Sequence, residues 1–128
     1  MPLTNDGTNL ITSALLGDGS YPLLDNTNAA LGVGDDNTAF SASQSQLQAE
    51  ANATSSQRKG MNSGYPSRDP DNDGSENLTR YQATFGTSEA NFSWEEWGVF
   101  NNSSSGYFEA WKVSEQKLTL QNGFLKLI

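Results

Sequence analysis

The first apolar pattern along the chain has a helical period. Residues 4–16 place four apolar side chains on one face of a helix: Leu10, Ile11, Ala14 and Leu15. Thr4, Asn5 or Asp6 can cap the start of this segment, and Gly17-Asp18-Gly19 ends it. We therefore predict a short amphipathic helix over residues 4–16.

Residues 29–60 predict a strand and a second helix. The apolar stretch 29–34, "AALGVG", is short enough for a strand, and the polar triplet 35–37 ends it. Residues 41–59 then favour a helix, because Ser41 or Ser43 can cap it and Arg58-Lys59 followed by Gly60 suits a helix C-terminus. Its apolar stripe is thin, so we expect this helix on the outside of the domain or against another subunit.

The second half of the chain has β character. In residues 78–85, Thr79, Tyr81, Ala83 and Phe85 alternate with their neighbours, as in a half-buried strand. Residues 92–100, "FSWEEWGVF", predict a second strand with a bulge near Glu95-Glu96 or Gly98, and residues 107–113 predict a third. "LTLQNGFLKL" places Asn-Gly between two apolar runs, which is a strong hairpin signal.

Helices first and strands later indicate an α+β fold, with an antiparallel β-sheet or small sandwich and two peripheral helices. We predict one domain over residues 1–113 and a hairpin arm over residues 114–128 that pairs with a neighbouring subunit. The predicted core residues are Trp94, Trp97, Phe85, Phe100, Tyr81 and Leu31. The aromatic and apolar candidates for core or interface contacts are Trp94, Trp97, Phe100, Tyr107, Trp111 and Phe124. Of Trp94 and Trp97, we expect one in the core and the other at an interface.

Composition narrows the function classes. Hydrophobic residues make up 34% of the 128, and only 17% are charged, so short polar residues fill the balance. Three Trp, four Tyr and six Phe still provide a modest core, which we expect contacts with neighbouring molecules to supplement. The net charge of -8 argues against binding nucleic acid. No apolar run approaches the ~20 residues of a membrane span, so we expect no membrane partner.

The residue types argue against an enzyme. The chain has no His and no Cys, so the usual general base and the common nucleophile pairs are missing. Glu95 and Glu96 are adjacent, and neighbouring strand residues point to opposite faces, so they cannot act together on one glycosidic bond. We expect no catalytic residues and no cofactor.

One acidic segment resembles part of a calcium loop. Asp69, Asp71, Asp73 and Gly74 match the first half of D-x-D-x-D-G, but Arg80 stands where the bidentate Glu belongs. Two interpretations stay open: a weak calcium site on the three Asp residues, and an acidic turn, which we favour.

Three stretches carry a resemblance to a known family. "NAALGVGDDNTAFSASQSQLQAE", "RKGMNSGYPSR" and "RYQATFGTSEANFSWEEWGVFN" resemble a small virion structural protein of tailed bacteriophages. More distantly, the order of features is similar to the N-terminal attachment domain of phage tail-collar and tail-fibre proteins. The resemblance covers residues 4–106; from Gly106 onward the chain departs from it.

The resemblance implies a non-enzymatic virion protein made in the host cytoplasm, without cofactor, whose partners are the major capsid protein or tail proteins. We expect a homo-oligomer. A capsid decoration or cement protein is the favoured role, and a tail, baseplate or collar adaptor is the alternative. A carbohydrate-binding module would depend on exposed aromatic residues, and an enzyme is the least favoured class.

Overall fold

The computed structural model describes residues 3–68 and 79–102, together with the backbone of two strands near the C-terminus. The helices are α1 (Asn5–Leu16) and α2 (Gln48–Ala51). The strands are β1 (Ala30–Gly34), β2 (Ser56–Gly60), β3 (Ser67–Arg68), β4 (Thr79–Arg80), β5 (Gln82–Thr84), β6 (Glu96–Phe100), β7 (Thr119–Gln121) and β8 (Phe124–Lys126). The protein therefore has the predicted α+β fold, with two helices and antiparallel sheets.

The central sheet has three antiparallel strands in the order β2-β1-β6. Its register is continuous: Val33 lies between Gln57 of β2 and Trp97 of β6. Gly98 pairs directly with Gly32, so no bulge forms at Gly98, the second of the two positions predicted for one. All five residues of β1 and all five of β6 are buried, which requires material on both faces of the sheet.

One face of the central sheet carries the larger core. Leu31 and Val33 of β1 lie on this face with Trp97 and Val99 of β6. The strand and loop residues that complete this cluster are Ala83, Phe85 and Ala90. Tyr81, Trp94, Phe92, Met61 and Leu24 pack against its edge. Five of the six predicted core residues thus belong to one cluster or border it.

The opposite face is covered by the segment that contains α2. Leu47 packs here against Ala30 and Phe100, which form the second core cluster. Gly34 permits this close approach, because a Cβ atom at its position would lie 2.7 Å from the Cβ of Ala49 and 2.7 Å from Oε1 of Glu96. Gly32 is equally tight against Phe100, at 2.6 Å. The alternation of large and small residues in "ALGVG" therefore sets the spacing of the two layers.

Two smaller sheets complete the described structure. β3 pairs with β4, and β8 lies between β5 and β7 in a three-stranded sheet. Gln121 pairs with Phe124, which confirms the hairpin predicted around Asn-Gly. β8 also pairs with β5 of the same chain, through Ala83 and Leu125. Pairing of the arm with a neighbouring subunit stays a prediction.

The second predicted helix is wrong over most of its length. Only Gln48–Ala51 is helical, and Ser56–Gly60 is strand β2. β1 pairs with β6 along one edge and needs a second strand to satisfy the backbone groups of its other edge. β2 is that strand, and its register runs from Ala30↔Gly60 to Gly34↔Ser56. Tertiary pairing thus overrides a weak helical pattern. Likewise, the strand predicted over 92–100 is β6 alone, and residues 92–95 precede it as a loop.

Of the described helices, α1 is the longer, at 12 residues. Neither described helix has the length and apolar content to cross a bilayer.

Candidate interaction surface

Helix α1 begins and ends at the residues that the sequence indicates. Thr4 is the N-cap, and its side-chain oxygen accepts a hydrogen bond of 3.1 Å from the backbone N–H of Gly7. Gly17 is the C-cap in the left-handed region, with φ 61° and ψ 30°, and its N–H donates to the carbonyl of Ser13. A glycine adopts this conformation without steric cost.

The buried face of α1 is not the one with the most apolar residues. Gly7, Leu10 and Ser13 are its buried residues. Ile11 is 42% exposed, Leu15 83% and Leu16 71%. Because Ile11 and Leu15 are four residues apart, they are neighbours on the helix surface, and Leu16 belongs to the same last turn. These three residues are called the α1 apolar surface below.

Hydrogen bonds fix α1 at both ends. At its start, the backbone N–H of Asn5 donates to the carbonyl of Ala42 at 2.8 Å. At its end, the Ser13 hydroxyl donates to Oδ1 of Asp18 at 2.6 Å, and the N–H of Tyr21 donates to the same hydroxyl at 3.3 Å. The loop after α1 is thereby held against the helix.

The α1 apolar surface belongs to an acidic part of the sequence. The chain has no Lys or Arg before Arg58, and its acidic residues up to that point are Asp6, Asp18, Asp25, Asp35, Asp36 and Glu50. The last turn of α1 contains no basic residue to complement the helix dipole. The hydrogen bond from Ser13, followed by those from Ser20, lowers the pKa of Asp18, so this carboxyl is ionised at neutral pH.

A buried carboxylate joins the two layers of the core. Glu96 is only 1% exposed. Its Oε2 accepts from the N–H of Gln48 at 3.0 Å, and its Oε1 accepts from the N–H of Ala49 at 2.6 Å. These N–H groups belong to the first turn of α2, which has no acceptors of its own for them. Glu96 therefore anchors α2 to the central sheet.

An ion pair lies next to this anchor. Nε of Arg58 donates to Oε1 of Glu50 at 2.7 Å, and Nη2 donates to Oε2 at 2.7 Å. The guanidinium stacks on the ring of Phe100, 3.8 Å from the centroid, and Nη1 donates to the carbonyl of Asn102 at 3.2 Å. Arg58 thus connects β2, β6 and the α2 segment.

The aromatic site candidates lie in and around the core. Trp97 and Phe100 are buried, on opposite faces of the central sheet. Trp94 is half-buried at the edge of the larger core, where its ring meets Phe85 edge-on at 5.4 Å and its Nε1 donates to the carbonyl of Ala90 at 3.0 Å. Phe124 lies in β8 and pairs with Thr84 of β5.

The remaining candidates lie outside the described residues: Tyr107, Trp111, Asp69, Asp71 and Asp73. Within residues 3–68 and 79–102, no group of three acidic side chains comes together to hold a metal ion. Glu95 is exposed in the loop before β6 and Glu96 is buried in β6, so the two adjacent carboxyls do not face one site, although they do not lie in one strand as predicted.

Sequence reasoning missed two features. The role of Glu96 depends on partners 48 and 47 residues away, which no local pattern reveals. The exposure of Ile11 and Leu15 was also missed, although Gly7 and Ser13 are small residues that suit a close-packed helix face. Searches against protein-family models, curated proteins and solved structures found no match to this chain.

Proposed function

We propose that this chain is a non-enzymatic structural protein of a tailed-phage virion, and that it decorates or cements the capsid. The main structural observation that supports the proposal is the α1 apolar surface. It is held in place by capping and loop hydrogen bonds, yet most of its apolar area faces solvent. A fixed, exposed apolar helix end is typical of a surface that another protein covers.

The composition supports an assembly role. The sequence has neither His nor Cys, and most of its described carboxyls accept hydrogen bonds from backbone N–H groups or pair with a basic side chain. The resemblance of residues 4–106 to a small phage virion protein points in the same direction. These features suit a protein that contributes binding contacts to a particle and does not catalyse a reaction.

A cement protein and a tail adaptor differ in copy number. The distant similarity to the attachment domain of tail-collar and tail-fibre proteins favours the adaptor as the second candidate. A decoration protein is needed at every capsomer, whereas an adaptor is needed only around the tail axis. Counting copies therefore separates the two roles.

The test is the number of copies per purified particle of the phage that encodes the chain, by mass spectrometry with isotope-labelled standards. Trypsin should release residues 60–68 and 118–126, which both end at a basic residue and suit this purpose. We expect a ratio near that of the major capsid protein. A few copies per particle would favour the tail adaptor over the capsid cement protein. Absence of the chain from the particle would refute the structural role.

A further inference from the structure

We propose that the α1 apolar surface docks into an apolar pocket bordered by Lys or Arg on a different virion protein. The inference rests on the proposed function in that it takes the partner from the same particle. It adds the location of the contact and the chemistry of the partner.

The apolar half of this recognition comes from Ile11, Leu15 and Leu16. Leu15 and Leu16 are the two most exposed large apolar side chains in the described part of the chain. They project from the last turn of a helix whose other side is buried through Leu10. An apolar pocket on the partner would remove these side chains from water without any change in the fold of this chain.

The basic border follows from the charges around the same residues. The C-terminal end of a helix carries a partial negative charge, and α1 has no basic residue in its last turn to balance it. Asp18 follows directly after the C-cap and is ionised. No Lys or Arg occurs in the first 57 residues. Cationic side chains on the partner would complement both charges.

The same charges disfavour a symmetric contact with a second copy. In an isologous dimer through this surface, both copies would bring an ionised Asp18 and a negative helix end into the same contact. Like charges brought together in a partly desolvated contact oppose association. An anionic membrane surface is disfavoured for the same reason.

The test is an NMR titration of the full-length, ¹⁵N-labelled protein with designed helical peptides. The first peptide has a Leu face bordered by Lys, the second has the same Leu face bordered by Glu, and the third replaces Leu by Ser beside the same Lys residues. We expect the Leu/Lys peptide to shift the amide signals of Ile11, Leu15 and Leu16, and the other two to bind at least about tenfold more weakly.

Matched variants locate the contact. Leu15→Ser combined with Leu16→Ser should weaken binding of the Leu/Lys peptide by at least about tenfold, because both side chains are exposed and their loss removes apolar contact but not the fold. Leu23→Ser is the control, since Leu23 is also exposed, at 54%, but lies outside the α1 apolar surface. It should change binding by less than about twofold.

Three results would overturn the inference. One is equal binding of the Leu/Glu and Leu/Lys peptides, and another is perturbation of amides elsewhere with none in α1. The third is self-association in sedimentation experiments that the Leu15→Ser, Leu16→Ser variant abolishes, which would make a second copy the occupant. Each can occur whatever the copy number in the particle, so failure of the docking inference and failure of the virion role are distinguishable.

Discussion

Replacing Glu96 by Gln tests how the two layers of the core are joined. The carboxylate gives each of the N–H groups of Gln48 and Ala49 an oxygen acceptor. The amide of Gln has the same shape but only one oxygen, so its NH₂ group must face one of the two N–H donors. The variant therefore loses one hydrogen bond to a charged acceptor without leaving a cavity.

The expected change in stability of Glu96→Gln follows from the loss of this one hydrogen bond. A hydrogen bond to a charged group contributes about 1.5–3 kcal/mol, and the neutral amide recovers part of the cost of burying a charge. We expect the free energy of unfolding to fall by about 2 kcal/mol, a large fraction of the total for a domain of this size. The melting temperature should fall by roughly 6–10 °C.

The assay is urea denaturation followed by tryptophan fluorescence, with Glu95→Gln as the matched control. Glu95 is the preceding residue and carries the same charge, but it is exposed. Its replacement should change the unfolding free energy by less than about 0.5 kcal/mol. Hydrogen exchange at the amides of Gln48 and Ala49 should accelerate only in Glu96→Gln. If the two variants are equally stable, Glu96 does not anchor α2.

Three further substitutions and one control probe the rest of the structure by the same denaturation assay, and a fourth substitution is followed by thermal melting. Gly34→Ala should cost about 1–3 kcal/mol because its Cβ meets packed atoms at 2.7 Å, whereas Gly60→Ala, with nothing within 4 Å, should be nearly neutral; equal stabilities would contradict the close packing of the two layers. Arg58→Lys should cost about 1–2 kcal/mol, since Lys keeps the charge but loses the paired hydrogen bonds and the ring stacking. Trp97→Ala should cost about 3–5 kcal/mol, and a smaller loss than for Arg58→Lys would contradict its place in the core. The hydrogen bond from the Gly86 N–H, and after it the hydrogen bond from Lys59, lowers the pKa of Glu89 from its ordinary value. The stabilisation from these contacts is therefore present above that ordinary value and is lost as the pH falls through the lowered pKa. Melting curves between about pH 5 and pH 2 should therefore be less pH-dependent in Glu89→Gln.

Elements with local signals were predictable from the sequence. Thr4 and Gly17 mark the ends of α1 because capping depends on residues within one turn of each helix end. Asn122-Gly123 predicts the antiparallel pairing of β7 with β8, because Asn-Gly between two apolar runs is a local hairpin signal. In both cases the determining contacts lie within a few residues of the signal.

Elements that depend on distant pairing were not predictable. β2 has helix-compatible residues, but its conformation is set by hydrogen bonds to β1, more than twenty residues earlier. Gly32 and Gly34 are the residues that permit the close packing on this face of β1, since a larger side chain at either position would collide with its neighbours. The alternation of Gly32 and Gly34 with Leu31 and Val33 indicates a strand that is buried on both faces. It does not predict which segment of the chain covers each face.

The packing of the core limits how strongly the proposed contact through the α1 apolar surface can bind. β1 and β6 are buried on both faces, so they leave no apolar area for a partner, and the α1 apolar surface is at the periphery. Burying two leucines and an isoleucine there contributes roughly 1–2 kcal/mol each after allowance for the area already covered. That total is close to or below the 4–15 kcal/mol that association costs in lost freedom. One such contact is weak in isolation, so under the proposed virion role the chain would need further contacts, or several copies held together, to raise its effective concentration at the particle. Under the proposed virion role, Leu15→Ser combined with Leu16→Ser should lower the occupancy of this protein on particles more steeply at low protein concentration than at saturation.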